Sequence, residues 1–245
     1  MVCAARAKQN PFAPQSMRIV PALQTPPHGA EAEPLDLCGG PRHRSAMTEI
    51  RSICVYCGSS SGVEQGFENA AWQLGQTIAA NGLRLVYGGG TKGLMGAVSR
   101  GVMEAGGKVT GIIPRFLMHK EATEEALGTL DELIITEDMH ERKHAMFERS
   151  DAFVTLPGGI GTLEEVIEIM TWAQLGRHTK PIVLANIDGF WNPLIALLDH
   201  MRQAGFIHTG HRVRPLVLDE AEQILPAIIA GADGEAGETA VIERL

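Results

Sequence analysis

The segment Leu156–Val166, LPGGIGTLEEV, brings together two kinds of chemistry. Its three glycines and its threonine are typical of a turn that opens a helix, where free backbone N–H groups and the positive end of the helix dipole bind phosphate. Glu164 and Glu165 follow directly, although two carboxylates would repel a bare anion. A nucleotide resolves the conflict, because its phosphate and the C1′ atom of its sugar lie several ångströms apart. The turn then holds the phosphate, and a carboxylate one helical turn later faces the ribose.

A carboxylate beside a ribose suits cleavage of a glycosidic bond. Such cleavage passes through an oxocarbenium-like state, which a carboxylate stabilises directly or through a positioned water. A second interpretation stays open, because Thr162 and Glu165 have the T-x-x-E spacing of a capping box, in which both side chains only complete a helix N-terminus. Taken alone, this motif favours the capping box.

Two further turns are rich in glycine and hydroxyl residues. They read YCGSSSG, which contains Ser59, and YGGGTKGLMG, which contains Gly89 and Gly90. Two glycine-rich turns that open helices, GGGTKGLMG and PGGIGT, are stronger evidence for phosphate binding than one, since glycine also serves tight turns and close packing. Neither is a Walker A sequence or a clean G-x-G-x-x-G, and no acidic residue ends a second strand to hold a dinucleotide ribose. The turns therefore favour a mononucleotide over NAD, and no cofactor is expected.

The pattern HERKH at His140–His144 matches the H-E-x-x-H of zinc proteases. Its middle residues, Arg142 and Lys143, are cations that oppose the binding of Zn²⁺, and no obvious third ligand follows in the sequence. We therefore predict that this segment does not form a metal site.

Arg142 is a candidate functional residue for a different reason. It falls between Met139 and Met146 at helical spacing on an otherwise apolar stripe, so it faces inward and needs an anionic partner. An ion pair with a core acid and an arginine that reaches the surface are structural alternatives. On this residue alone they carry as much weight as a functional role.

The pattern of apolar runs indicates how these residues are positioned. From Ser52 onward, short β-branched runs alternate with helix-like segments, which predicts parallel βαβ units and a doubly wound, mostly parallel α/β sheet. Ligands of such sheets bind beyond the carboxyl ends of the strands, where the glycine-rich turns lie. The strand-like runs are SICVY, LRLVY, KVTGII, ELIIT, AFVTL, PIVLA and PLVL. The helix-like segments are Phe67–Ala80, Leu94–Ala105, Met139–Arg149, Leu163–Leu175, Trp191–Ala204 and Glu220–Ile229.

Length and composition indicate one globular domain. The 245 residues are 44% apolar and 20% charged, and residues 47–232 carry the whole α/β pattern. Residues 1–46 are rich in Pro and Ala without periodicity, so we predict a disordered N-terminal extension, followed after the domain by a C-terminal tail at 233–245. An organelle-targeting segment and a natural start at Met47 remain alternatives for the N-terminal residues.

Charge and cysteine usage narrow the partners and the compartment. The net charge of -8 argues against nucleic acid and anionic membranes as partners, and no apolar run approaches the ~20 residues of a membrane span. Cys54 and Cys57 are expected to be buried, reduced thiols on opposite faces of a strand, because a redox C-x-x-C pair usually opens a helix. Reduced thiols fit a cytoplasmic protein.

Three motifs occur together in this chain. They are P-G-G-x-G-T-x-x-E at Pro157–Glu165, M-H-E-R-K at Met139–Lys143 and G-G-G-x-x-G-L-M-G at Gly88–Gly96. Together they resemble the LONELY GUY (LOG) family of cytokinin riboside 5′-monophosphate phosphoribohydrolases, whose members are often mislabelled lysine decarboxylases. The resemblance covers about residues 51–230 and includes TWAQLG at Thr171–Gly176 and DGFWNPL at Asp188–Leu194.

The resemblance implies a Rossmann-like fold, a homodimer or larger assembly with sites near the interface, and a nucleoside 5′-monophosphate substrate. It implies that Arg142 and Glu165 form the catalytic pair. Arg142 would steady the phosphate or the departing base, and Glu165 would stabilise the ribosyl cation or orient water. The segment from Glu121 to Met139 is a little longer than is usual in the family. The residues implied to contact the nucleotide are Glu121, Lys143, Gly158, Gly159, Ile160, Gly161, Thr162, Leu163, Glu164 and Thr171.

Two functions from different classes remain. One is an enzyme that hydrolyses the N-glycosidic bond of purine nucleoside 5′-monophosphates. The other is a non-catalytic nucleotide- or cofactor-binding module, because Rossmann relatives with similar turns only bind or carry ligands. The presence of both Arg142 and Glu165 favours the enzyme. The nucleobase of its substrate is either adenine or N6-prenylated adenine. No lysine has a recognisable pyridoxal-phosphate setting, so a decarboxylase is not predicted.

Overall fold

The computed structural model describes residues 49–207 and 215–232. Within these ranges the chain forms a seven-stranded sheet in which every neighbouring pair is parallel, in the order β4-β3-β2-β1-β5-β6-β7. The chain builds one half of the sheet from β1 outward to β4 and then returns to the centre for β5. The strands are β1 (Ser52–Tyr56), β2 (Arg84–Tyr87), β3 (Lys108–Pro114), β4 (Glu132–Thr136), β5 (Ala152–Thr155), β6 (Ile182–Ala185) and β7 (Leu216–Leu218).

Helices connect the strands and cover both faces of the sheet. One face packs against the first two helices and the last, and the other face packs against the three longer helices that follow β4, β5 and β6. The helices are α1 (Gln65–Ala80), α2 (Gly93–Glu104), α3 (Met118–Glu121), α4 (Glu124–Leu127), α5 (Met139–Glu148), α6 (Ile160–Gln174), α7 (Asn192–Gln203) and α8 (Ala221–Ala232), with 3₁₀ turns at Arg115–Leu117 and Ile187–Gly189.

The alternation of side chains along the strands produces two apolar layers. In β1, Ile53 and Val55 pack in the layer with α1, α2 and α8, whereas Cys54 and Tyr56 pack in the layer with α5, α6 and α7. All four side chains are almost fully buried. Because both faces are covered, the central strands are continuous apolar runs and do not alternate with polar residues.

The predicted doubly wound α/β sheet is confirmed, and each of the seven strand-like runs forms a strand. The six predicted helices are present with shifted ends, and one shift matters for function: α6 begins at Ile160 and not at Leu163. The pattern misses α3, α4 and the two 3₁₀ turns, because elements of three or four residues carry no periodicity. The predictions for residues 1–46 and 233–245 lie outside the described residues.

Two observations bear on the predicted compartment and on membranes. Cys54 and Cys57 are free and buried in opposite layers of the core, as predicted, and burial raises the pKa of both thiols. Within residues 49–207 and 215–232, no helix is both long and apolar enough to cross a bilayer.

Candidate functional site

A cavity of about 370 Å³ lies where the carboxyl ends of the central strands meet. Its walls come from five connections: Cys57–Ser59 after β1, Gly88 after β2, Leu117 and Glu121 after β3, helix α5 after β4, and helix α6 after β5. The chain reverses its direction across the sheet between β1 and β5, so the helices on either side diverge and leave a crevice. Doubly wound sheets bind their ligands at this position.

The N-terminus of α6 forms one wall of the cavity. Gly159 is the N-cap, without a side-chain hydrogen bond, and the N–H of Leu163 donates to the Gly159 carbonyl at 3.0 Å. The N–H groups of Ile160, Gly161 and Thr162 therefore have no acceptor within the helix. A Cβ atom at Gly159 or Gly161 would meet open space, so the backbone is accessible from the cavity. Phosphate binds to helix N-termini of this kind.

The capping-box interpretation of Thr162 and Glu165 is wrong. A capping box needs the threonine at the N-cap, but Gly159 holds that position and Thr162 lies in the first turn. Thr162 is buried against Gly158, where a Cβ atom would collide with the threonine side chain. Glu165 is 9% exposed and lines the cavity. Its carboxylate therefore faces the site.

Arg142 enters the cavity from α5. Asp138 caps this helix by accepting a hydrogen bond from the Glu141 N–H at 2.8 Å, and Arg142 follows within the first turn. The guanidinium is buried, and its Nη2 donates to the Gly88 carbonyl at 3.3 Å. A Cβ atom at Gly88 would collide with the guanidinium, so glycine is needed here to leave room for the arginine.

Neither structural alternative for Arg142 holds in the part of the chain that the structure describes. The residue is 6% exposed, so it does not reach the surface, and no described carboxylate lies within 4.0 Å of its guanidinium. Met139 and Met146 flank it on the cavity wall, as the stripe predicts. The Nε–H is buried without a partner among the described residues. A buried, unpaired donor of this kind can serve a ligand that accepts hydrogen bonds.

The Glu165 carboxyl group is subject to opposing influences. Burial raises the pKa of Glu165 to about 7, against the lowering effect of the Arg142 guanidinium and with smaller raising effects from Glu164 and Glu121. A carboxyl group with a pKa near neutrality gains and loses protons readily at physiological pH. Such a group can activate a water molecule or stabilise a cation beside it.

Glu121 reaches the same cavity from α3. Its backbone carbonyl accepts hydrogen bonds from the N–H of Thr91 at 2.9 Å and from the Thr91 hydroxyl at 3.3 Å, which tie α3 to the glycine-rich turn after β2. Its Oε2 atom is buried and has no hydrogen-bond partner within the described ranges. The longer segment that follows Glu121 thus leaves it at the site.

Comparison with known proteins decides the family. A family model described as "Possible lysine decarboxylase" matches residues 95–228. The chain is 51% identical over 165 residues to cytokinin riboside 5′-monophosphate phosphoribohydrolase LOG5 of Arabidopsis thaliana, over 67% of this chain and 71% of that protein. It is 50% identical over 166 residues to LOGL9 of Oryza sativa subsp. japonica, named as a probable enzyme of the same activity, over 68% and 72% of the two chains. The chain belongs to the LOG family.

A solved structure agrees with the fold of this LOG-family chain. The molybdenum cofactor binding protein from the phototrophic bacterium Rippkaea orientalis matches with a TM-score of 0.53 at 24% identity, covering 74% of this chain and 96% of that one. At this level of identity the similarity bears on the fold alone.

The cavity brings together part of the set of site residues predicted from the sequence. Arg142, Glu165, Glu121 and Ser59 line it together with Gly159–Thr162. The sequence predictions missed Gly88, Leu117, Met139 and Met146 as lining residues. Gly88 had a usable signal, because it is the first residue after a strand in a motif already tied to phosphate.

The other predicted glycines serve packing. Gly158 accommodates Thr162, as described above. Gly89 has a φ of +76°, which L side chains rarely adopt, and a Cβ atom there would press on Ile113. A Cβ atom at Gly90 would press on Met95. These three glycines allow close packing around the cavity but do not line it.

Four other predicted contact residues also lie outside the cavity lining. Lys143 and Glu164 form an ion pair with each other, and Leu163 is exposed. Thr171 is exposed beside a separate apolar groove of about 270 Å³ between α6 and α7, and its hydroxyl donates to the Ile167 carbonyl at 2.7 Å.

The HERKH segment places its two histidines on the exposed side of α5, whereas Arg142 between them is buried. The described part of the chain contains no group of three His, Cys, Asp or Glu side chains that could hold a metal ion.

Proposed function

We propose that the chain hydrolyses the N-glycosidic bond of purine nucleoside 5′-monophosphates, with N6-substituted adenine nucleotides of the cytokinin type among its substrates. One observation carries the proposal: a single cavity holds both an uncapped helix N-terminus and a buried carboxyl group, that of Glu165, whose pKa lies near 7. Relatives about half identical in sequence are named cytokinin riboside 5′-monophosphate phosphoribohydrolases, and such a reaction can use both features, one to bind the phosphate and one to act at the sugar.

The dimensions of α6 suit a nucleotide. With the 5′-phosphate on the N–H groups at Ile160–Thr162, the next reactive group along the helix is the Glu165 carboxylate. Ile160 and Glu165 are separated by about 7.5 Å along the helix axis, at a rise of about 1.5 Å per residue. This distance is comparable with that between the phosphate and C1′ of ribose 5-phosphate. The reacting carbon therefore comes within reach of the carboxylate.

The proposed reaction breaks the bond between C1′ and N9, and the electron pair leaves with the base. The Glu165 carboxylate stabilises the positive charge that develops on the ribosyl ring and orients a water molecule toward C1′. The water oxygen bonds to C1′, and its proton passes through Glu165 to the departing base. The unpaired Nε–H of Arg142 donates to the base as negative charge builds up on it. The products are the free base and ribose 5-phosphate.

Glu121 supports a 6-aminopurine as the base. The ends of β3, which leads to Glu121, and of β5, which leads to α6, are three strand spacings apart, or roughly 14 Å. A nucleotide that extends from α6 across the sheet therefore brings its base toward Glu121. A carboxylate oxygen without a partner among the described residues, such as Oε2 of Glu121, accepts a hydrogen bond from an N–H donor. Adenine and N6-prenylated adenine both carry an N6–H, whereas hypoxanthine carries an oxygen at that position.

The experiment that tests this function compares kcat/KM for AMP, N6-isopentenyl-AMP and IMP. We expect both 6-aminopurine nucleotides to release free base, and IMP to react at least about tenfold more slowly, because its O6 faces an acceptor and loses one hydrogen bond. In Glu121→Gln the preference should weaken, since the amide can donate to O6. Equal rates for AMP and IMP in the wild type would contradict the role of Glu121. Base release from none of the three would contradict the proposed function.

The pKa of Glu165 makes the reaction depend on pH. The ionised carboxylate is the active form and burial raises its pKa to about 7, so kcat for AMP should rise as pH increases through that value and level off above about 8. The quantity to measure is kcat at saturating AMP, because the phosphate of AMP itself titrates near pH ~6 and alters binding. A kcat that is flat or falls between pH ~6 and ~8 would contradict the assignment of Glu165 as the base.

We further propose that two copies of the chain associate across an apolar stripe on α6. Ile160, Leu163 and Ile167 recur at helical spacing, Leu175 follows at the C-cap of α6, and all four remain 37% to 86% exposed. The stripe begins at the cavity, which Ile160 also lines. Light scattering should give at least twice the chain mass of 26.3 kDa, and Ile167→Glu should reduce it to that of one chain. Val63→Glu, at an exposed apolar residue outside the stripe, is the control. A monomeric wild type would contradict this assembly.

A further inference from the structure

Lys143 and Glu164 are the sequence neighbours of the two proposed catalytic residues, yet neither lines the cavity. On α5, Arg142 lines the cavity and Lys143 does not; on α6, Glu165 lines it and Glu164 does not. Nζ of Lys143 lies 2.5 Å from Oε1 of Glu164 and 3.1 Å from Oε2 of Glu168. One ammonium group of α5 therefore bridges two successive turns of α6.

The bridge leaves Lys143 little capacity to bind anything else. Its side chain is 14% exposed, and those of Glu164 and Glu168 are 52% and 24% exposed, so the ion pair with Glu168 is the better shielded from water. Burial lowers the pKa of Lys143, but the hydrogen bonds and charges of Glu164 and Glu168 outweigh burial and raise it overall. Two of the three N–H donors of the ammonium are already directed at carboxylates. Contact with a nucleotide phosphate would require the loss of charge-assisted hydrogen bonds.

The bridge joins α5 and α6 beside the two cavity-lining residues Arg142 and Glu165. Phe147 and Trp172 also join the two helices, edge to face with ring centroids 4.9 Å apart, but they lie near the C-terminal ends. Lys143 is next to Arg142 in the sequence, and its partners lie on either side of Glu165. The two ion pairs therefore hold α5 and α6 together next to the Arg142 guanidinium and the Glu165 carboxylate, and so affect the distance between these two groups.

We infer that Lys143 is a positioning residue that, through Glu164 and Glu168, fixes the separation of Arg142 and Glu165 and does not bind the nucleotide. The inference rests on the proposed function, because the separation matters only if both residues act on one substrate. It assigns a role to Glu168, which no sequence motif singles out. Misplacing a reacting group by about 1 Å can cost about 10²-fold in rate.

The test combines kcat and KM for AMP with the calorimetric Kd of AMP in several variants. Lys143→Met should lower kcat about tenfold or more, with KM and Kd unchanged within about twofold. Glu168→Gln should lower kcat in the same way to a smaller extent. Lys143→Arg keeps both ion pairs and should retain kcat within about threefold. The double variant Lys143→Met with Glu168→Gln should have a kcat no lower than that of Lys143→Met alone, because both changes disrupt the same bridge.

The control is Glu68→Gln, which removes the ion pair of 3.1 Å between Arg100 of α2 and Glu68 of α1 and should leave kcat unchanged. A Kd for AMP weakened about tenfold in Lys143→Met, with no response to Glu168→Gln, would show that Lys143 binds the nucleotide and would overturn the inference. Glu168→Gln keeps the lysine, so it tests the bridge even if Lys143→Met does not fold. A wild type that binds AMP without cleaving it would refute the proposed function, while the Kd values would still decide whether Lys143 contacts the nucleotide.

Discussion

Replacing Glu165 with glutamine is expected to reduce kcat for AMP about 10²–10³-fold, the usual cost of losing one preorganised charge contact in a transition state. The amide has the shape of the carboxyl group but neither stabilises a ribosyl cation nor accepts a proton from water. Because the lost interaction forms mainly in the transition state, KM should change far less than kcat. The measurement is kcat and KM for AMP by steady-state kinetics. The control is Glu222→Gln, which changes an exposed carboxylate of α8.

The same variant should be at least as stable as the wild type above neutral pH. Burial raises the pKa of Glu165 from 4.5 to about 7, so the folded state binds more protons than the unfolded state between these values. Stability therefore falls as pH rises through this window. Above pH ~8 the ionised carboxylate costs on the order of 3 kcal/mol, which a neutral amide avoids. Thermal unfolding at pH ~8 should give Glu165→Gln a Tm equal to or above that of the wild type.

The opposite pair of results for the kcat and the Tm of Glu165→Gln would restore the capping-box interpretation. A glutamine variant that keeps wild-type kcat and unfolds at a lower temperature would show that Glu165 stabilises the start of α6. The observed N-cap at Gly159 and the position of Thr162 in the first turn argue against that outcome.

Removing the 5′-phosphate from the substrate is expected to lower kcat/KM by at least about 10²-fold, because each charge-assisted contact contributes ~1.5–3 kcal/mol. The N–H groups of Ile160, Gly161 and Thr162 lie at a distance from the bond that breaks. Binding energy from such remote contacts orients and distorts the reacting sugar, so adenosine should lose kcat as well as affinity. The measurement is kcat/KM for AMP and adenosine with one enzyme preparation.

The same experiment is repeated in the presence of the chelator EDTA. Activity should be insensitive to EDTA, because neither glycine-rich turn ends in a Walker-type Ser or Thr and the described residues contain no cluster of three metal-binding side chains. Comparable values of kcat/KM for AMP and adenosine would contradict phosphate binding at α6. Loss of activity with EDTA would instead revive a metal role for His140 and His144.

The fold and the position of the site follow from sequence because both depend on periodicity. Apolar runs between helical patterns specify parallel βαβ units, and the ends of parallel strands meet at one edge of the sheet, so the glycine-rich turns after β1, β2 and β5 come together. The inward orientation of Arg142 follows from its helical spacing with Met139 and Met146. These inferences need no knowledge of tertiary contacts.

Individual contacts were less predictable because they depend on packing. The T-x-x-E spacing matches a capping box, but the glycines before it start α6 three residues earlier than the apolar pattern indicates. Lys143 adjoins Arg142 in the motif, yet one helical step turns its side chain by about 100°, toward Glu168. Glu121 reaches the cavity because Thr91 holds its carbonyl, a contact between residues thirty positions apart.

Whether Arg142 and Glu165 cleave a nucleotide held at the N-terminus of α6 is tested most directly by identifying the products formed from AMP. The wild type is incubated with AMP in buffer without inorganic phosphate, and the products are quantified over time by chromatography and mass spectrometry. We predict adenine and ribose 5-phosphate in equal amounts that match the AMP consumed, and about 1% or less of that rate in Glu165→Gln. Recovery of intact AMP bound to the wild-type protein would identify a binding module and contradict this cleavage.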